Sequence, residues 1–458
     1  MAHRGQRTNQ SIKVTKLYSL FLSHPVITTD SRDCPEGSIF FALKGDTFNG
    51  NAYAEAALQK GCAYAVVDEP QYSVANDERY VLVPDVLKAL QQLANEHRKA
   101  LGTTIIGITG TNGKTTTKEL IAAVLQRKYN ILYTQGNFNN HIGVPKTLLR
   151  LTKEHEMAVI EMGANHPGEI KTLVDIVEPD CGLITNVGKA HLEGFGSFEG
   201  VIKTKGELYD FLIGHDCPLF VNRDNEHLMK MVKERGERGV QPDIYYYGQS
   251  DSKDILIRGE VISCAPFLKF RWREQDADAD YTSEWMEVQT HLIGAYNLDN
   301  MLAAITIGYV NNIPFEQINH ALENYIPSNN RSQMTVTEHN HLVVDAYNAN
   351  PTSMKAAIDN FKLMDVPHKM AIIGKMGELG DVVEEEHQKV VDMLTDAHFE
   401  EVWLVGEEFQ NIPCNFRKFK DVEEVKEAIA ANSQTLTGKY ILIKGSNSNK
   451  LFQLPELL

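Results

Sequence analysis

Apolar runs that close on a polar residue recur through the middle of the chain, and helical sequence separates them. The clearest runs are residues 157–161, 181–186 and 218–222. Strands buried on both faces of a parallel sheet are apolar at successive positions, and their carboxyl ends meet at one edge. The pattern therefore predicts a parallel α/β sheet with a polar, ligand-binding edge.

Related patterns flank this central block. Near the amino terminus, the apolar runs 37–45 and 63–67 enclose an alanine-rich helical stretch, and residues 86–101 have helical sequence. Residues 254–293 instead alternate apolar and polar positions, which predicts antiparallel strands added to the central sheet. A helix is predicted to follow over 297–309.

A third set of α/β runs follows a loop-like stretch near residue 328. Its four predicted strands are 341–345, 370–374, 402–406 and 440–444, separated by amphipathic helices. Strands that alternate with helices in this way predict a second doubly wound sheet. We therefore expect an α/β protein of three domains, and the length of 458 residues agrees with about that number. The predicted domains cover residues 1–102, 103–327 and 328–458.

A glycine-rich loop follows the apolar residues 104–106 and leads into a predicted helix. It reads Gly107-Ile108-Thr109-Gly110-Thr111-Asn112-Gly113-Lys114-Thr115-Thr116. A helix that begins at such a loop points backbone N–H groups and the positive end of its dipole at one spot, which suits a phosphate. Lys114 is expected to reach the β and γ phosphates of ATP, and the hydroxyl of Thr115 or Thr116 to bind the accompanying Mg²⁺. The predicted nucleotide contacts are Gly110, Thr111, Asn112, Gly113, Lys114, Thr115 and Thr116.

The net charge and the lack of long apolar stretches limit which partners and which cellular location the sequence favours. The net charge of −16 argues against nucleic acid or an anionic membrane surface, because affinity for phosphate backbones comes from clustered Lys and Arg. No apolar stretch approaches the roughly 18 residues of a membrane span, and residues 1–10 lack the apolar core of a signal peptide. We expect a cytoplasmic protein with no nucleic-acid partner and no membrane insertion.

Three side chains are candidates for chemistry at the polar edge of the central sheet. Glu161 ends an apolar run and is expected to hold Mg²⁺, although carboxylates at strand ends are often simply solvated. His191 lies five residues after Asn186, and the sequence leaves a structural role as open as a functional one. Lys205 has the position of a solvated helix-surface lysine, and no neighbouring residue marks it as special.

Two polar clusters lie farther along the chain. Asn297 and Asn300 stand three apart at a predicted helix start and could present amides to the edge of a base, whereas helix capping is the competing interpretation of Asn297. Residues 345–351, which read Asp-Ala-Tyr-Asn-Ala-Asn-Pro, leave a strand with more hydrogen-bonding groups than a plain turn needs. We therefore predict a functional role for this second cluster.

Taken together, these motifs resemble those of the Mur ligase family, over nearly the whole chain. Residues 107–116 resemble its ATP loop, and residues 29–32 (Thr-Asp-Ser-Arg) with 41–45 (Phe-Ala-Leu-Lys-Gly) resemble its uridine-nucleotide domain. Residues 347–351 resemble the members that add a final dipeptide. The resemblance implies a small α/β uridine-nucleotide domain, a central P-loop ATPase domain with added antiparallel strands, and a carboxyl-terminal Rossmann-like domain.

The resemblance also implies roles for individual residues. It places Thr115 and Glu161 at one Mg²⁺, and His191 with a carbamylated Lys205 at a second. The catalytic residues it implies are Lys114, Glu161, His191, Lys205 and Arg331. The further ATP contacts it implies are Asn297 and Asn300 near adenine, with Arg331 and Asp345 from the third domain. The substrate contacts are Ser31, Arg32 and Lys44 for the uridine nucleotide, together with Tyr347, Asn348 and Asn350.

The activity implied by the resemblance is amide ligation in peptidoglycan precursor synthesis. A monomer with ATP and Mg²⁺ would join D-alanyl-D-alanine to UDP-N-acetylmuramoyl-tripeptide through an acyl phosphate. Two alternatives stay open: a family member that adds the third-position diamino acid, and a P-loop ATPase switch or motor that is not a ligase. The lack of an NKxD-type motif disfavours a GTP switch, and the uridine-type motif disfavours a folate- or polymer-extending ligase.

Overall fold

The described structure is a computed structural model that covers residues 16–236, 242–264, 266–276, 281–327, 333–432 and 435–458. Arg331, one of the predicted ATP contacts, lies outside these residues. The described chain divides into two compact units. The first consists of the described residues of Met1–Gly107, with Tyr129–Gly163 and Lys171–Asp180. The second consists of Ile108–Lys128, Ala164–Ile170 and the described residues of Cys181–Leu458.

Strands and helices are numbered in chain order over the described residues. The strands are β1 (Ile27–Thr28), β2 (Ile39–Phe41), β3 (Tyr64–Val67), β4 (Tyr80–Leu82), β5 (Thr104–Thr109), β6 (Ile131–Tyr133), β7 (Met157–Glu161), β8 (Cys181–Ile184), β9 (Leu219–Asn222), β10 (Ile244–Gly248), β11 (Ile255–Cys264), β12 (Phe267–Asp276), β13 (Tyr281–Thr282), β14 (Met286–Ile293), β15 (Gln333–Val336), β16 (His341–Asp345), β17 (Lys369–Gly374), β18 (Glu401–Val405), β19 (Arg417–Phe419) and β20 (Tyr440–Lys444). The helices are α1 (Lys16–Ser23), α2 (Ala54–Gln59), α3 (Val86–Leu101), α4 (Lys114–Leu125), α5 (Gly143–Leu148), α6 (Glu169–Val177), α7 (Leu192–Phe195), α8 (Phe198–Gly214), α9 (Glu226–Gly236), α10 (Asn297–Val310), α11 (Phe315–Glu323), α12 (Pro351–Leu363), α13 (Val383–Ala397) and α14 (Val422–Ala431).

The first unit contains a small parallel sheet, in which β1, β2, β3 and β4 lie side by side in that order. Every residue of β2 is buried, and Phe40 packs in one cluster with Val67 of β3 and Ala57 of α2. A strand that is covered on both faces requires such an uninterrupted apolar run. The predicted order of strand, helix and strand is therefore confirmed.

Two other segments of the first unit have well-defined ends. The side chain of Asp85 accepts a hydrogen bond from the backbone N–H of Lys88 at 2.9 Å and so caps the start of α3. Directly after the last residue of α3, Gly102 has a left-handed conformation with φ 67°. Farther along, β6 pairs in parallel with β7, and β7 is buried throughout its length up to Glu161. The carboxylate of Glu161 therefore lies at the buried carboxyl end of β7.

In the second unit, the first sheet has the strand order β13-β12-β11-β10-β9-β8, and β14 also pairs with β12. The pairs β8–β9, β9–β10 and β10–β11 are parallel, whereas β12 pairs in antiparallel fashion with β11, β13 and β14. Along β11, Ile255 and Ile257 are buried, while Arg258 and Glu260 on the other face are partly exposed. The period-two alternation therefore predicted the antiparallel addition correctly.

Helix α10 lies in the core of this part of the second unit. Nearly all of its residues from Leu298 to Ile307 are buried, which explains why it is apolar around most of its circumference instead of along one stripe. Gly308 allows a close approach to α4, since a Cβ at this position would lie 2.5 Å from Cγ1 of Val124. The helix begins at Asn297, as the sequence predicts.

The remaining sheet of the second unit has the order β15-β16-β20-β17-β18-β19, with β15 antiparallel at one edge and the other strands parallel. Along β16, Val343 packs in the cluster that contains α12 and α13, whereas Leu342 and Val344 pack in the cluster that contains α14. Both faces are thus covered, as expected of a doubly wound sheet. Below, β15 and the residues after it are called the carboxyl-terminal domain.

The predicted strands of this domain are all present, and two further strands accompany them. β15 lies at one edge and β19 at the other. β19 reads Arg-Lys-Phe, so it is too short and too polar for an apolar pattern to reveal it. In the described part of the chain, no helix has both the length and the apolar character that crossing a bilayer demands.

Truncating Phe361 tests the packing of the carboxyl-terminal domain. Phe361 in α12 is fully buried, and its ring centroid lies 5.2 Å from that of Phe399. Phe361→Ala is expected to lower the free energy of unfolding by about 3–5 kcal/mol, because lost contacts leave a cavity. Leu363→Ala changes a residue of the same helix that is 80% exposed, and a change below about 0.5 kcal/mol is expected. Urea denaturation followed by circular dichroism measures both, and equal losses would contradict the assigned core.

Candidate active site

The loop between β5 and α4 needs glycine at two positions. Gly110 has a φ of 146°, and a Cβ there would lie 2.0 Å from Oγ1 of Thr185. Gly113, directly before α4, has a φ of 78°, and a Cβ there would lie 2.7 Å from Oδ1 of Asn300. Glycine alone combines this backbone with such close approach. The loop therefore has the form expected of an anion site at a helix N-terminus.

The side chain of Asn186, which follows β8, holds this loop in place. Its Oδ1 accepts a hydrogen bond from the backbone N–H of Asn112 at 3.0 Å, and its Nδ2 donates to the carbonyl of Asn112 at 3.0 Å. The hydroxyl of Thr185 donates to the same carbonyl at 2.6 Å. The carbonyl of Asn186 also accepts from the N–H of Thr111 at 2.9 Å. These bonds fix the backbone that leads into α4.

Lys114, the first residue of α4, lies over the loop. Its Nζ donates to the carbonyls of Gly110 at 2.9 Å and Thr111 at 3.0 Å. In the same helical turn, Thr115 is buried and Thr116 is half-buried. An ammonium group and two hydroxyls thus accompany the positive end of the helix dipole, which is a suitable set of groups for phosphates and a cation.

His191 and Lys205 interact electrostatically with Lys114 in the second unit. Burial lowers the pKa of His191, the carboxylate of Glu378 acts in the opposite direction, and the two lysine charges lower the pKa further. Burial also moves the pKa of Lys205 well below its ordinary value, and the charge of Lys114 adds to this effect. Nζ of Lys205 donates to the carbonyl of Ala164 at 3.2 Å. A lowered pKa favours the neutral amine, which is the form of lysine that reacts with CO₂.

Glu161 belongs to the first unit, where it ends β7. The residue is 1% exposed, and its Oε1 accepts a hydrogen bond from Nδ2 of Asn139 at 2.8 Å. The backbone N–H of Glu161 donates to Oγ1 of Thr134 at 3.0 Å. A buried carboxylate requires compensating partners, and a divalent cation is a suitable one. The metal role of Glu161 stays a prediction.

Asn297 and Asn300 form a hydrogen-bonded chain between α10 and α4. The hydroxyl of Thr117 donates to Oδ1 of Asn300 at 2.9 Å, and Nδ2 of Asn300 donates to Oδ1 of Asn297 at 2.9 Å. The series of hydrogen bonds ends where Nδ2 of Asn297 donates to the carbonyl of Ile293 at 2.8 Å. Both asparagines are buried, and the hydrogen bond from Thr117 to Asn300 joins α4, which follows the phosphate loop, to α10. Their predicted contact with adenine is not tested by these bonds and stays a prediction.

Asp345 pairs with a buried lysine at the carboxyl edge of the six-stranded sheet. Nζ of Lys444 donates to Oδ2 of Asp345 at 2.7 Å and to the carbonyl of Asn348 at 2.8 Å, and 1% of the lysine side chain is exposed. Because a buried ammonium without partners is costly, this pair orders the turn that follows β16. Tyr347 in the same turn is 37% exposed.

Asn350 connects this turn to the phosphate loop within the second unit. Its Nδ2 donates to Oδ1 of Asn112 at 2.8 Å. Its Oδ1 accepts from the N–H of Ser353 at 2.9 Å, so the same side chain caps α12. Nearby, Oγ1 of Thr352 accepts from the N–H of Lys189 at 3.2 Å. The carboxyl-terminal domain therefore contacts both the loop that carries Lys114 and the segment that precedes His191.

Lys44, a predicted uridine-nucleotide contact, lies in the first unit beside two carboxylates. Its Nζ is 2.8 Å from Oε1 of Glu69 and 2.9 Å from Oδ1 of Asp68. Hydrogen bonds to Glu69 and Asp68 raise the pKa of Lys44 to about 12. The lysine is therefore charged at every physiological pH, as contact with an anionic nucleotide requires.

Ser31 and Arg32, the other two predicted uridine-nucleotide contacts, lie in the turn after β1. The side chain of Arg32 is 87% exposed and pairs with Asp30 at 2.8 Å. Ser31 is partly exposed, and its carbonyl accepts from Nζ of Lys60 at 2.7 Å. Both side chains are accessible, and their substrate role stays a prediction.

Comparison with known proteins identifies the family. Three domain models match successive segments: "Mur ligase family, catalytic domain" over residues 25–98, "Mur ligase middle domain" over 108–308, and "Mur ligase, glutamate ligase domain" over 330–447. UDP-N-acetylmuramoyl-tripeptide--D-alanyl-D-alanine ligase of Bacillus subtilis is 31% identical over 441 residues, covering 93% of this chain and 92% of that protein. The protein of the same name from Escherichia coli is 32% identical over 440 residues, covering 94% and 93%. The chain belongs to the Mur ligase family.

Solved structures of Mur ligases have the same architecture. MurF from Acinetobacter baumannii superposes with a TM-score of 0.83 at 28% identity, covering 94% of this chain and 92% of that one. MurF ligase from Thermotoga maritima, solved in complex with ADP, gives a TM-score of 0.81 at 25% identity, covering 95% and 97%. The family and the three-domain α/β fold expected from the sequence are thus confirmed.

The groups around the phosphate loop of this Mur ligase fit a nucleotide with its Mg²⁺. A Cβ at Gly110 would collide with Thr185, and a Cβ at Gly113 would collide with Asn300. The loop can therefore keep this shape only with glycine at both positions. Mg²⁺ takes few protein oxygens and usually shares phosphate oxygens with them. Thr115, in the first turn of α4, supplies a hydroxyl oxygen of that kind.

Some residues of the site are not predicted by the sequence. Asn139, which bonds Glu161, carries a usable signal, since it lies in a polar stretch directly after the apolar strand β6. Thr117 and Glu378 carry none, because their partners Asn300 and His191 lie 183 and 187 residues away. Only the folded chain reveals such pairs.

Adding a methyl group to the phosphate loop tests its fit to nucleotide. Gly110→Ala is expected to weaken ADP binding at least about tenfold, because Ala at this φ is strained and its Cβ would collide with Thr185. Gly214→Ala at the end of α8 is the control, since a Cβ there meets no atom within 4 Å. Isothermal titration calorimetry with ADP and Mg²⁺ measures both variants. Native affinity in Gly110→Ala would refute the assigned loop geometry.

Proposed function

We propose that this Mur ligase joins D-alanyl-D-alanine to UDP-N-acetylmuramoyl-tripeptide with the energy of ATP, in peptidoglycan precursor synthesis. The observation that carries the proposal is the grouping of Lys114, His191 and Lys205. The His191 ring lies 6.3 Å from the Phe195 ring, centroid to centroid, Nζ of Lys205 lies 5.5 Å from the same centroid, and Lys114 acts electrostatically on both groups. The names of the Bacillus subtilis and Escherichia coli relatives support the choice of substrates. The Tyr-Asn-Ala-Asn-Pro segment, residues 347–351, contacts the phosphate loop through Asn350 and fits the same choice.

The proposed reaction has two steps. A carboxylate oxygen of the tripeptide attacks the γ phosphorus of ATP, the bond from that phosphorus to the β,γ-bridging oxygen breaks, and ADP leaves. The amine of the dipeptide then attacks the acyl carbon, the carbon–oxygen bond to phosphate breaks, and a proton leaves the nitrogen. Both steps bring anions together, so positive groups at the loop have the largest effect on rate.

Individual residues have proposed roles in these steps. Lys114 neutralises the β and γ phosphates, helped by the N–H groups of residues 110–116. Thr115 with Glu161, and His191 with Lys205, are the proposed Mg²⁺ ligands. When bound, Mg²⁺ supplies positive charge that stabilises the transferring phosphoryl group. Carbamylation gives Lys205 the oxygens this role requires: its neutral amine attacks CO₂, and a proton leaves the nitrogen.

The other predicted contacts complete the proposal. Asp345 and Arg331 are proposed to contact ATP from the third predicted domain, residues 328–458. The adenine contacts are Asn297 and Asn300, and the substrate contacts are Ser31, Arg32, Lys44, Tyr347, Asn348 and Asn350. Because an acyl phosphate is lost when water reaches it, contact of the carboxyl-terminal domain with the loop serves to exclude water.

The proposal extends to the organisation of the protein. We propose that it works as a monomer in the cytoplasm, without a nucleic-acid partner, and that its domains meet near residues 102 and 327. The net charge of −16 favours the absence of a nucleic-acid partner. Light scattering of the purified chain measures its mass, and the mass of a stable dimer would contradict the proposed monomer.

Incubation of the chain with ATP, Mg²⁺, the UDP-linked tripeptide and D-alanyl-D-alanine tests the function, and the expected result is the mass of the ligated product. Lys114→Ala is expected to lower turnover by ~10²–10³, because one charge contact to the phosphates is lost. Lys230→Ala on α9 removes an exposed lysine charge and should retain native turnover. Ligation of a free diamino acid instead would favour the other family member, and ATP hydrolysis that is independent of dipeptide would favour a motor.

Removing CO₂ tests the modification of Lys205. In buffers stripped of CO₂ and bicarbonate, turnover is expected to fall and then to recover on addition of bicarbonate, because the carbamate forms reversibly. Lys205→Ala is expected to be slow in both buffers, by ~10²-fold or more, since the oxygens near the phosphates are lost. Equal turnover of the native chain with and without CO₂, together with an unmodified intact mass, would exclude the carbamate.

A further inference from the structure

Glu378 reaches from the carboxyl-terminal domain to His191. Its carboxylate contacts Nδ1 of the His191 ring. The backbone takes part as well, because the carbonyl of Glu378 accepts from the N–H of Glu193 at 3.3 Å. The segment that carries Glu378 thus packs against α7, directly after His191.

The backbone at both ends of this contact is unusual. His191 has a φ of 50° and Glu378 a φ of 58°, so each is a non-glycine residue in the left-handed region. Such residues are strained, and they persist where the surrounding structure fixes them. Two strained residues in direct contact therefore indicate a pairing that the fold maintains at a cost.

Separate contacts hold Gly188 and Lys189, which precede His191 in the segment between β8 and α7. Nζ of Lys189 lies 3.1 Å from Oε1 of Glu386 on α13, and the side chain of Glu386 is 6% exposed. The N–H of Lys189 bonds Thr352 at the start of α12. Gly188 permits this approach, since a Cβ there would lie 2.6 Å from Oγ1 of Thr352. The contact of Glu378 is therefore one part of a wider docked interface.

The geometry determines which ring nitrogen of His191 is available. An imidazole that donates Nδ1–H to a carboxylate presents its other nitrogen, Nε2, as a lone pair. Histidines that bind metal ions generally have such a carboxylate or carbonyl partner, which fixes the tautomer and the ring orientation. The Glu378 contact has this form.

We propose that Glu378 is a positioning residue, which fixes the His191 tautomer for the metal ion at the phosphate site and does so only when the carboxyl-terminal domain is docked. The inference rests on the proposed metal role of His191. It makes docking and metal affinity reciprocal, because each must favour the other by the same factor.

The test measures Mn²⁺ affinity of the full chain by electron paramagnetic resonance, in the presence of a non-hydrolysable ATP analogue. Glu378→Ala is expected to weaken Mn²⁺ about 10–100-fold, the usual effect of losing such a partner. Glu378→Gln keeps an oxygen that accepts from Nδ1–H, so it should lose clearly less. Glu423→Ala on α14 removes an exposed carboxylate of the same domain and should keep native affinity.

The double variant separates positioning from direct ligation. In the His191→Ala background, Glu378→Ala is expected to have no further effect, since Glu378 acts through the ring. Additive losses would overturn the inference and make Glu378 an independent ligand. Native Mn²⁺ affinity in Glu378→Ala, with thermal melting that shows a folded chain, would overturn it as well.

The outcome is distinguishable from failure of the proposed function. If the native chain forms the ligated product while His191→Ala keeps native Mn²⁺ affinity, the positioning inference fails and the ligase function stands. If the native chain forms no product but the two variants show the non-additive Mn²⁺ losses, the positioning inference stands and the choice of substrates fails.

Discussion

The two-way hydrogen bonding between the amide of Asn186 and the backbone of Asn112 is the interaction on which the site depends. It joins the end of β8 to the loop before α4, and it uses one donor and one acceptor on each side. A loop with left-handed glycines at both ends would otherwise sample many conformations, because glycine restricts the backbone least. The side chain of Asn186 therefore fixes the conformation of a loop whose glycines would otherwise leave it flexible.

Charge is the second constraint on this region. Lys114 acts electrostatically on His191 and Lys205, and burial together with this repulsion lowers the pKa of His191 and of Lys205. Such an arrangement is unfavourable for the protein alone and becomes favourable when an anion joins it, since opposite charges attract most strongly where water is excluded. The same burial and repulsion that lower the pKa of Lys205 therefore favour an anion at this position.

Much of the fold follows from the sequence because its signals are local. The runs that become β7, β8 and β9 are readable since parallel strands buried on both faces need apolar residues throughout. Gly110 and Gly113 are likewise readable, because loop and helix start adjoin in sequence. By contrast, the edge strands β15 and β19 carry few apolar residues, and nothing near Lys205 signals its burial. The partners of Asn300 and His191 depend on chain topology, which no local pattern encodes.

Asn350 illustrates how one side chain limits later change. Its oxygen begins α12 by accepting from Ser353, while its nitrogen bonds Asn112 on the phosphate loop. Any replacement that adjusts the strength of the second bond also alters where the helix starts. Position 350 is therefore constrained twice, by the start of α12 and by the contact with the phosphate loop.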